Sequence, residues 1–424
     1  MRITVIGIGS RGDVQPYVAL AEGLARAGYE VRVATHDFFA HLVERRGVEM
    51  YPVGDRPERV FEDPRIHSMM GSGMNALKFV REFRALLEPI TRQMMIDSIA
   101  ACEGSDAVVM SNAAIVPGFH QIAEEMGARY CAGLLQPLYP TREQPSPFMP
   151  PLPRWWPGRG LCNLASHHLF LRTFAWFFRD AMPMLREAHG LPPTSRREMI
   201  RHERRADAPL LFGFSPSVFP RPSDWPKRAS VTGYWFLDAP ETWRPPDDLR
   251  DFLDAGPPPV YVGFGSMVSP DPRAATGMVV EALGRTGQRG ILLTGAGAFE
   301  SEGLPDEVLA LESAPHDRLF PRMAAVVHHG GAGTTAAGLR SGVPSIVVPF
   351  FADQPFWART VHALGVGPRP IPRKRLTAER LANAIEEAVT SREIREQAER
   401  LGAKIHAEDG VGRAVEIISD HFGA

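Results

Sequence analysis

Short runs of β-branched and apolar residues alternate along this chain with segments whose apolar positions repeat at helical spacing. Residues 2–8 (RITVIGI) are apolar on both faces, as a strand inside a parallel sheet must be. A Gly/Ser/Arg turn follows. Residues 14–27 then set Val14, Val18, Leu20, Ala21, Leu24 and Ala25 at helical spacing, with Pro16 in the expected first turn and Gly28 as the stop. YEVRVAT (29–35) is the next strand, which completes a βαβ unit. The alternation continues with a short helix closing at Gly47, a long helix over 75–101, a strand at 106–111, a helix at 114–126 and a strand at 128–135. Residues 136–160 form a long Pro-rich loop, followed by an aromatic helical stretch from about 163 to 189 and strands at 210–215 and 228–233.

The second half repeats the plan. Residues 234–259, rich in Pro and Asp, read as an interdomain linker with one short helix. VYVGFGSM (260–267) is a strand running into a Gly/Ser turn. A helix at 274–286 and strands at 290–296, 307–313, 324–329 and 344–349 follow, and helices at 377–390, 392–406 and 411–422 close the chain. The pattern predicts an α/β protein with two doubly wound parallel-sheet domains: 1–233, then 260–406, with 407–424 as a last helix.

Composition narrows the classes. Of 424 residues, 44% are hydrophobic and 23% charged, which excludes a disordered chain, a fibre or a coiled coil. The formal net charge of -2 offers no global field for nucleic acid. Only four basic residues are Lys, the rest Arg, which reads as genome composition rather than phosphate binding. Cys102, Cys131 and Cys162 stand far apart without a CxxC or Cys/His spacing, so neither a zinc site nor a disulfide framework is expected, and a reducing cytoplasm is. The opening apolar run stops at glycines, Arg11 and Asp13, unlike a leader peptide. No window approaches the roughly 20 apolar residues of a membrane span, and the nearest, 169–178, is broken by Arg172.

Ligands of open parallel sheets bind beyond the carboxyl ends of the strands, so the turns there hold the candidate chemistry. Gly7, Gly9 and Gly12 match GxGxxG, with Asp37 near that fingerprint's acidic position. Asp13 at the mouth of the same turn is not part of the fingerprint; it is either a helix cap or a reactive carboxylate. Gly263-Phe264-Gly265-Ser266 follows a strand and is either a tight turn or a phosphate contact. His328-His329-Gly330-Gly331-Ala332-Gly333-Thr334-Thr335 joins a strand end to a helix start and suits a diphosphate through amides, helix dipole and imidazole; it lacks the Lys of a Walker A motif. Asp353-Gln354-Pro355 begins a helix, and its carboxylate and amide suit sugar hydroxyls as well as they suit a cap.

These last two segments resemble the nucleotide-sugar signature of family 1 glycosyltransferases, which runs here from Ser313-Ala314-Pro315-His316 through His329-Gly330-Gly331-Ala332-Gly333-Thr334 and Gly342-Val343-Pro344 to Asp353-Gln354. The opening Gly9-Ser10-Arg11-Gly12-Asp13-Val14-Gln15-Pro16 resembles the sterol glucosyltransferase branch, which includes bacterial antibiotic glycosyltransferases. The resemblance implies a GT-B fold, two Rossmann-like domains facing across a cleft, with the last helix crossing back to the first. It implies Asp13 as catalytic base and, as donor contacts, Ser10, Gly12, Ser266, Ala314, His316, His329, Gly331, Ala332, Gly333, Thr334, Asp353 and Gln354. Plant relatives carry a Trp where Ser313 stands, so the choice between uridine and thymidine diphosphate stays open.

The expected reaction is an inverting hexosyl transfer to a hydroxyl, with no metal and no resident cofactor. Phe148, Trp155 and Trp156 are the expected acceptor contacts, in a segment crowded with aromatics that suits a sterol, macrolide or polyketide aglycone. The same segment lacks a basic face, so membrane contact is peripheral at most. Two other classes remain: an oxidoreductase using the first glycine turn, which leaves Asp353-Gln354 unexplained, and a non-catalytic nucleotide-sugar binder, which has no need of Asp13.

Overall fold

In the computed structural model the chain folds as two units, one of Met1–Pro216, Pro220–Leu237 and Asp409–Ala424, the other of Ser217–Phe219 and Asp238–Glu408. The structure describes residues 1–54, 76–111, 119–153, 155–195, 198, 207–265, 271–295 and 297–423.

The first unit contains β1 (Arg2–Ile6), α1 (Arg11–Arg26), β2 (Glu30–Thr35), α2 (Ala40–Glu44), β3 (Glu49–Pro52), α3 (Ala76–Ala100), β4 (Ala107–Met110), α4 (Phe119–Glu125), β5 (Arg129–Leu134), α5 (Arg159–Phe177), α6 (Ala181–Ala188), β6 (Leu210–Phe212) and β7 (Ala229–Val231). The second contains α7 (Asp247–Asp254), β8 (Val260–Gly263), α8 (Pro272–Thr286), β9 (Gly290–Leu293), β10 (Val308–Leu311), α9 (His316–Leu319), β11 (Ala325–His328), α10 (Ala332–Arg340), β12 (Ser345–Val347), α11 (Gln354–Ala363), α12 (Ala378–Thr390) and α13 (Arg392–His406). A last helix, α14 (Gly410–Phe422), belongs to the first unit.

The strand orders are β3-β2-β1-β4-β5-β6-β7 and β10-β9-β8-β11-β12, and the pairings are parallel. Each sheet therefore changes its winding direction beside its first strand, between β1 and β4 and between β8 and β11. At the carboxyl ends of these pairs Ile6 lies beside Met110, and Gly263 beside His328. Such switch points are where doubly wound sheets hold ligands.

The strands are buried because apolar residues stand at every position of β4, β8 and β11 except the terminal Gly263 and His328. The first core gathers Ile3, Val5, Val18, Leu24, Val33 and Val109 with Ala414, Ile418 and Phe422 of α14. α14 reaches α1 because residue 23 is glycine: a Cβ there would come 2.4 Å from Val411 Cγ1. The Tyr29 hydroxyl and Ser419 Oγ, 2.9 Å apart, close that contact with a hydrogen bond. The second core gathers Val260, Val262, Val279, Leu283, Val327, Ile346, Leu381 and Ile385.

The chain leaves the first unit within 234–259. Trp235 is buried in the first core, its indole N–H donating to Thr232 Oγ1 at 2.9 Å, while Asp238 accepts from Arg340 in the second unit. Two local expectations change. α1 begins at Arg11, so Pro16 lies in its second turn rather than its first, and the Gly12 carbonyl loses its helical donor. The aromatic stretch is two helices, α5 and α6, rather than one. Of the helix expected at 114–126, residues 119–125 are described as α4 and 112–118 lie outside the described residues. No described helix is long and apolar enough to cross a membrane.

Candidate functional site

In the second unit the signature residues converge at the carboxyl ends of β8, β11 and β12. β11 ends in His328, and Gly330, at φ 90°, turns its N–H back onto His328 Nδ1 at 3.1 Å. Burial, with the neighbouring His329 and His316, lowers the His328 pKa to about 3, so its ring is neutral and accepts. α10 then starts with Gly331 as N-cap, which has no side chain to cap with. Its first intrahelical bond runs from Thr335 N–H to the Gly331 carbonyl, so the amides of Ala332, Gly333 and Thr334 precede the ladder.

The His329 ring lies between two glycines. A Cβ on Gly265 would come 2.8 Å from its Cε1, and one on Gly331 2.5 Å from its Nε2. Gly265 is also left-handed, at φ 60°. Burial lowers the His329 pKa to about 4, so the ring is neutral at pH 7, and its Nδ1 has no hydrogen-bond partner among the described residues. Ser266, next in that turn, lies outside the described residues.

The turn after β12 abuts the same loop: a Cβ on Gly330 would come 3.2 Å from the Gln354 carbonyl. Asp353 Oδ2 accepts from the indole N–H of Trp357 at 3.0 Å. Gln354 is buried, and its Oε1 accepts from the N–H of Phe350 at 2.8 Å and of Phe351 at 3.3 Å. Ala352, at φ 56°, is the one described non-glycine residue with positive φ, a strain that marks functional turns. Ala314 packs into the cluster of Tyr261 and Phe320. The His316 ring stacks on Phe320 with centroids 4.3 Å apart, and its Nε2 is 3.5 Å from the Tyr261 hydroxyl. Tyr261 extends that far because residue 263 is glycine: a Cβ there would lie 2.2 Å from the hydroxyl.

In the first unit Ser10 is the N-cap of α1 and Asp13 its third residue, with Gly12 between them. Asp13 Oδ2 accepts from Ser10 N–H at 3.1 Å and from Ser10 Oγ–H at 2.7 Å. This is a helix cap, and it uses one oxygen; Oδ1 bonds to no described residue. Burial raises the Asp13 pKa, opposed by the two bonds from Ser10. The glycine turn in front is held by His36, whose Nε2 accepts from Gly9 N–H at 3.1 Å.

Phe148 is half-exposed and stacks flat on Phe170, centroids 4.4 Å apart. Phe174 and Phe178 continue that row of rings into the core. Trp155 and Trp156 are exposed and tilted against each other at 5.8 Å. Among the described residues no three His, Cys, Asp or Glu are grouped to hold a metal ion.

Three residues of these sites escape a reading by motif. His36 stands 27 residues from the turn it holds; Tyr261 reaches the site only because of Gly263; Trp357 orients Asp353 from one helical turn away. The spacings Tyr-x-Gly and Asp-x-x-x-Trp carry the last two.

Two doubly wound sheets, each with a glycine turn and a helix start at its switch point, define a protein of two Rossmann-like domains. Residues 3–143 match the glycosyltransferase family 28 N-terminal domain, and residues 280–418 the erythromycin biosynthesis protein CIII-like C-terminal domain. A sterol 3-beta-glucosyltransferase of Cryptococcus neoformans var. neoformans serotype D is 37% identical over 99% of the chain, and one of Aspergillus fumigatus 36% over 99%. The chain spans 27% and 30% of the length of these two relatives. Among solved structures, the glycosyltransferase of kitacinnamycin superposes with a TM-score of 0.71 at 21% identity, covering 99% of each chain. A Streptomyces glycosyltransferase complexed with thymidine diphosphate superposes with a TM-score of 0.62 at 20% identity, also covering 99% of each chain. The chain belongs to family 1 of the glycosyltransferases and has the GT-B fold.

Proposed function

We propose that this protein is an inverting glycosyltransferase that moves a hexose from a uridine or thymidine diphosphate sugar to a hydroxyl of a hydrophobic acceptor, with Asp13 as general base and no metal. The observation that carries the reading is the start of α10. A glycine N-cap, three amides ahead of the helical ladder and a neutral imidazole held between two glycines offer several N–H donors to one anion. A diphosphate leaving group needs that set. The Streptomyces neighbour's thymidine diphosphate and the glucosyl transfer named for the fungal relatives support it. Asp353 and Ser266 would meet the sugar and phosphate. Gln354, whose oxygen serves its own turn, would contribute through its NH2.

Asp13 takes the proton of the acceptor hydroxyl through Oδ1 while Oδ2 stays bonded to Ser10. As the acceptor oxygen bonds to the anomeric carbon, the bond from that carbon to the diphosphate breaks on the opposite face. The developing charge is met by the α10 amides, Thr334 and His329. The raised pKa of Asp13 makes it a stronger base than an exposed carboxylate. The acceptor is a sterol, macrolide or polyketide aglycone, with Phe148, Trp155 and Trp156 as its apolar contacts. Cytoplasmic residence suits the free thiols, of which Cys102 and Cys131 are buried.

The test is calorimetric binding of uridine and thymidine diphosphates, followed by transfer from the matching hexose donors to a sterol and to a macrolide aglycone. Tight diphosphate binding without added metal and formation of an anomer of inverted configuration are expected. Transfer with retention, or failure to bind either diphosphate, would overturn the reading.

A further inference from the structure

We infer that His36 positions Asp13: its imidazole holds the Gly9 backbone in the orientation from which Ser10 grips the carboxylate. The inference rests on the reading of Asp13 as base. His36 directly follows β2 and is 1% exposed. Both of its ring nitrogens are engaged, and the partners dictate the tautomer. Nε2 lies 3.1 Å from the Gly9 nitrogen, which can only donate, so Nε2 is unprotonated. Nδ1 lies 3.1 Å from the Val53 carbonyl and 3.0 Å from that of Gly54, which can only accept, so Nδ1 carries the proton.

The support extends to both sides of the ring. Behind it, Gly54 N–H donates to Asp97 Oδ2 at 2.8 Å, and Gln93 donates to Asp97 Oδ1 at 2.8 Å, so α3 fixes the segment that receives the His36 proton. In front, Gly9 stands at φ 123°, a conformation that L side chains rarely adopt. A Cβ there would lie 2.9 Å from both Asp13 Cβ and Asp13 Oδ2, so Gly9 and the carboxylate are packed together. Ser10, next in the chain, supplies both donors to Oδ2. Any shift of Gly9 therefore reaches the base directly. With both nitrogens bonded to backbone, His36 acts through the turn and not on the substrate.

Two amide substitutions separate its two bonds. His36→Gln carries an oxygen out to where Nε2 accepts. His36→Asn keeps an N–H where Nδ1 donates and ends short of Gly9. His36→Asn should lower kcat by roughly 10- to 100-fold, the scale of a misplaced catalytic group, with donor KM and diphosphate affinity unchanged. His36→Gln should recover about tenfold of that loss. Imidazole 15N NMR of the wild-type protein reads the tautomer without any substitution and should find Nδ1 protonated and Nε2 bare.

A protonated Nε2, or equal turnover in the two variants, would overturn the inference. So would a loss expressed in donor KM rather than in kcat. The reading of Asp13 fails separately: if Asp13→Asn keeps its turnover, the base lies elsewhere whatever His36 does. If Asp13→Asn is inactive while both His36 variants match wild type, only the role of His36 falls.

Discussion

α1 and α10 start in the same way, just past the carboxyl end of a central strand, with glycine as their second residue, Gly12 and Gly333. Each stands behind a left-handed glycine whose N–H is taken by a buried histidine, Gly9 by His36 and Gly330 by His328. They part at the N-cap and at the third helical residue. α1 has Ser10 and Asp13, which bond to each other. α10 has Gly331 and Thr334, with no side-chain cap. A helix start carries about half a positive charge, and α1 neutralises it with a carboxylate of its own. α10 has no acidic residue in its first turn and leaves it uncompensated. One design thus yields a fixed carboxylate in the first unit and, on the proposed reading, a receptor for anions in the second.

The largest effect should come from removing the fixed charge. Asp13→Asn keeps an oxygen for Ser10 and cannot take a proton, so turnover should fall by about 10²- to 10⁴-fold with melting temperature and diphosphate affinity near wild type. The stability assay doubles as a control, since a purely capping Asp13 would show itself as a loss of about 0.5–2 kcal/mol in Asp13→Ala with activity per folded molecule preserved.

Converting the second helix start into the first should abolish the contrast. Thr334→Asp puts a carboxylate at the third residue of α10, where α1 has Asp13. Calorimetry should find nucleoside diphosphate affinity reduced by about 100-fold through like-charge repulsion, while the melting temperature holds or rises. Retained affinity would mean that the diphosphate binds away from α10.

A smaller loss is expected from His329→Ala, about 1–3 kcal/mol in diphosphate affinity, because one neutral donor goes while the amides remain. The wild-type affinity should also depend on pH in a definite direction. The free ring has a pKa of about 4, and a bound diphosphate raises it. Affinity should therefore be level near neutral pH and increase as pH falls toward the bound-state value. The smallest shift concerns Ser10→Ala. Burial already raises the Asp13 pKa, so the acid limb of kcat/KM should lie above the usual Asp value near 4. Loss of the Ser10 hydroxyl removes an opposing bond and should move that limb further up.

The contrast between the helix starts was only partly legible in the sequence. Uninterrupted apolar runs such as AVVM and VYVG announce buried parallel strands, and the alternation with helices announces two doubly wound sheets. The His329 to Thr335 segment suggests the anion site proposed above because few other roles require histidine, three glycines and two threonines at a helix start. The partners of the polar groups could not be read. Ser10 and Asp13 are three apart, yet the true start of α1 was hidden by Pro16, whose usual place is a first turn. His36 gives no sign of its target until β1 and β2 pair and bring Gly9 beside it. Gln354 looked like a sugar contact, and only the folded turn shows its oxygen committed to the N–H groups of Phe350 and Phe351.

The docking of α14 on α1 bears on how the protein is made. In sequence the second unit is an insertion, since the first resumes at Asp409 after ending its main part at Leu237. The Tyr29–Ser419 hydrogen bond joins residues 390 apart. At roughly 5–20 residues per second, a ribosome takes about 20–80 s to synthesise that interval. Throughout it the apolar face of α1 around Gly23 has no α14 to cover it, while most of the second unit is synthesised. The earlier-made unit is therefore the later one to be completed, and until α14 is made the face of α1 that it covers lacks that cover.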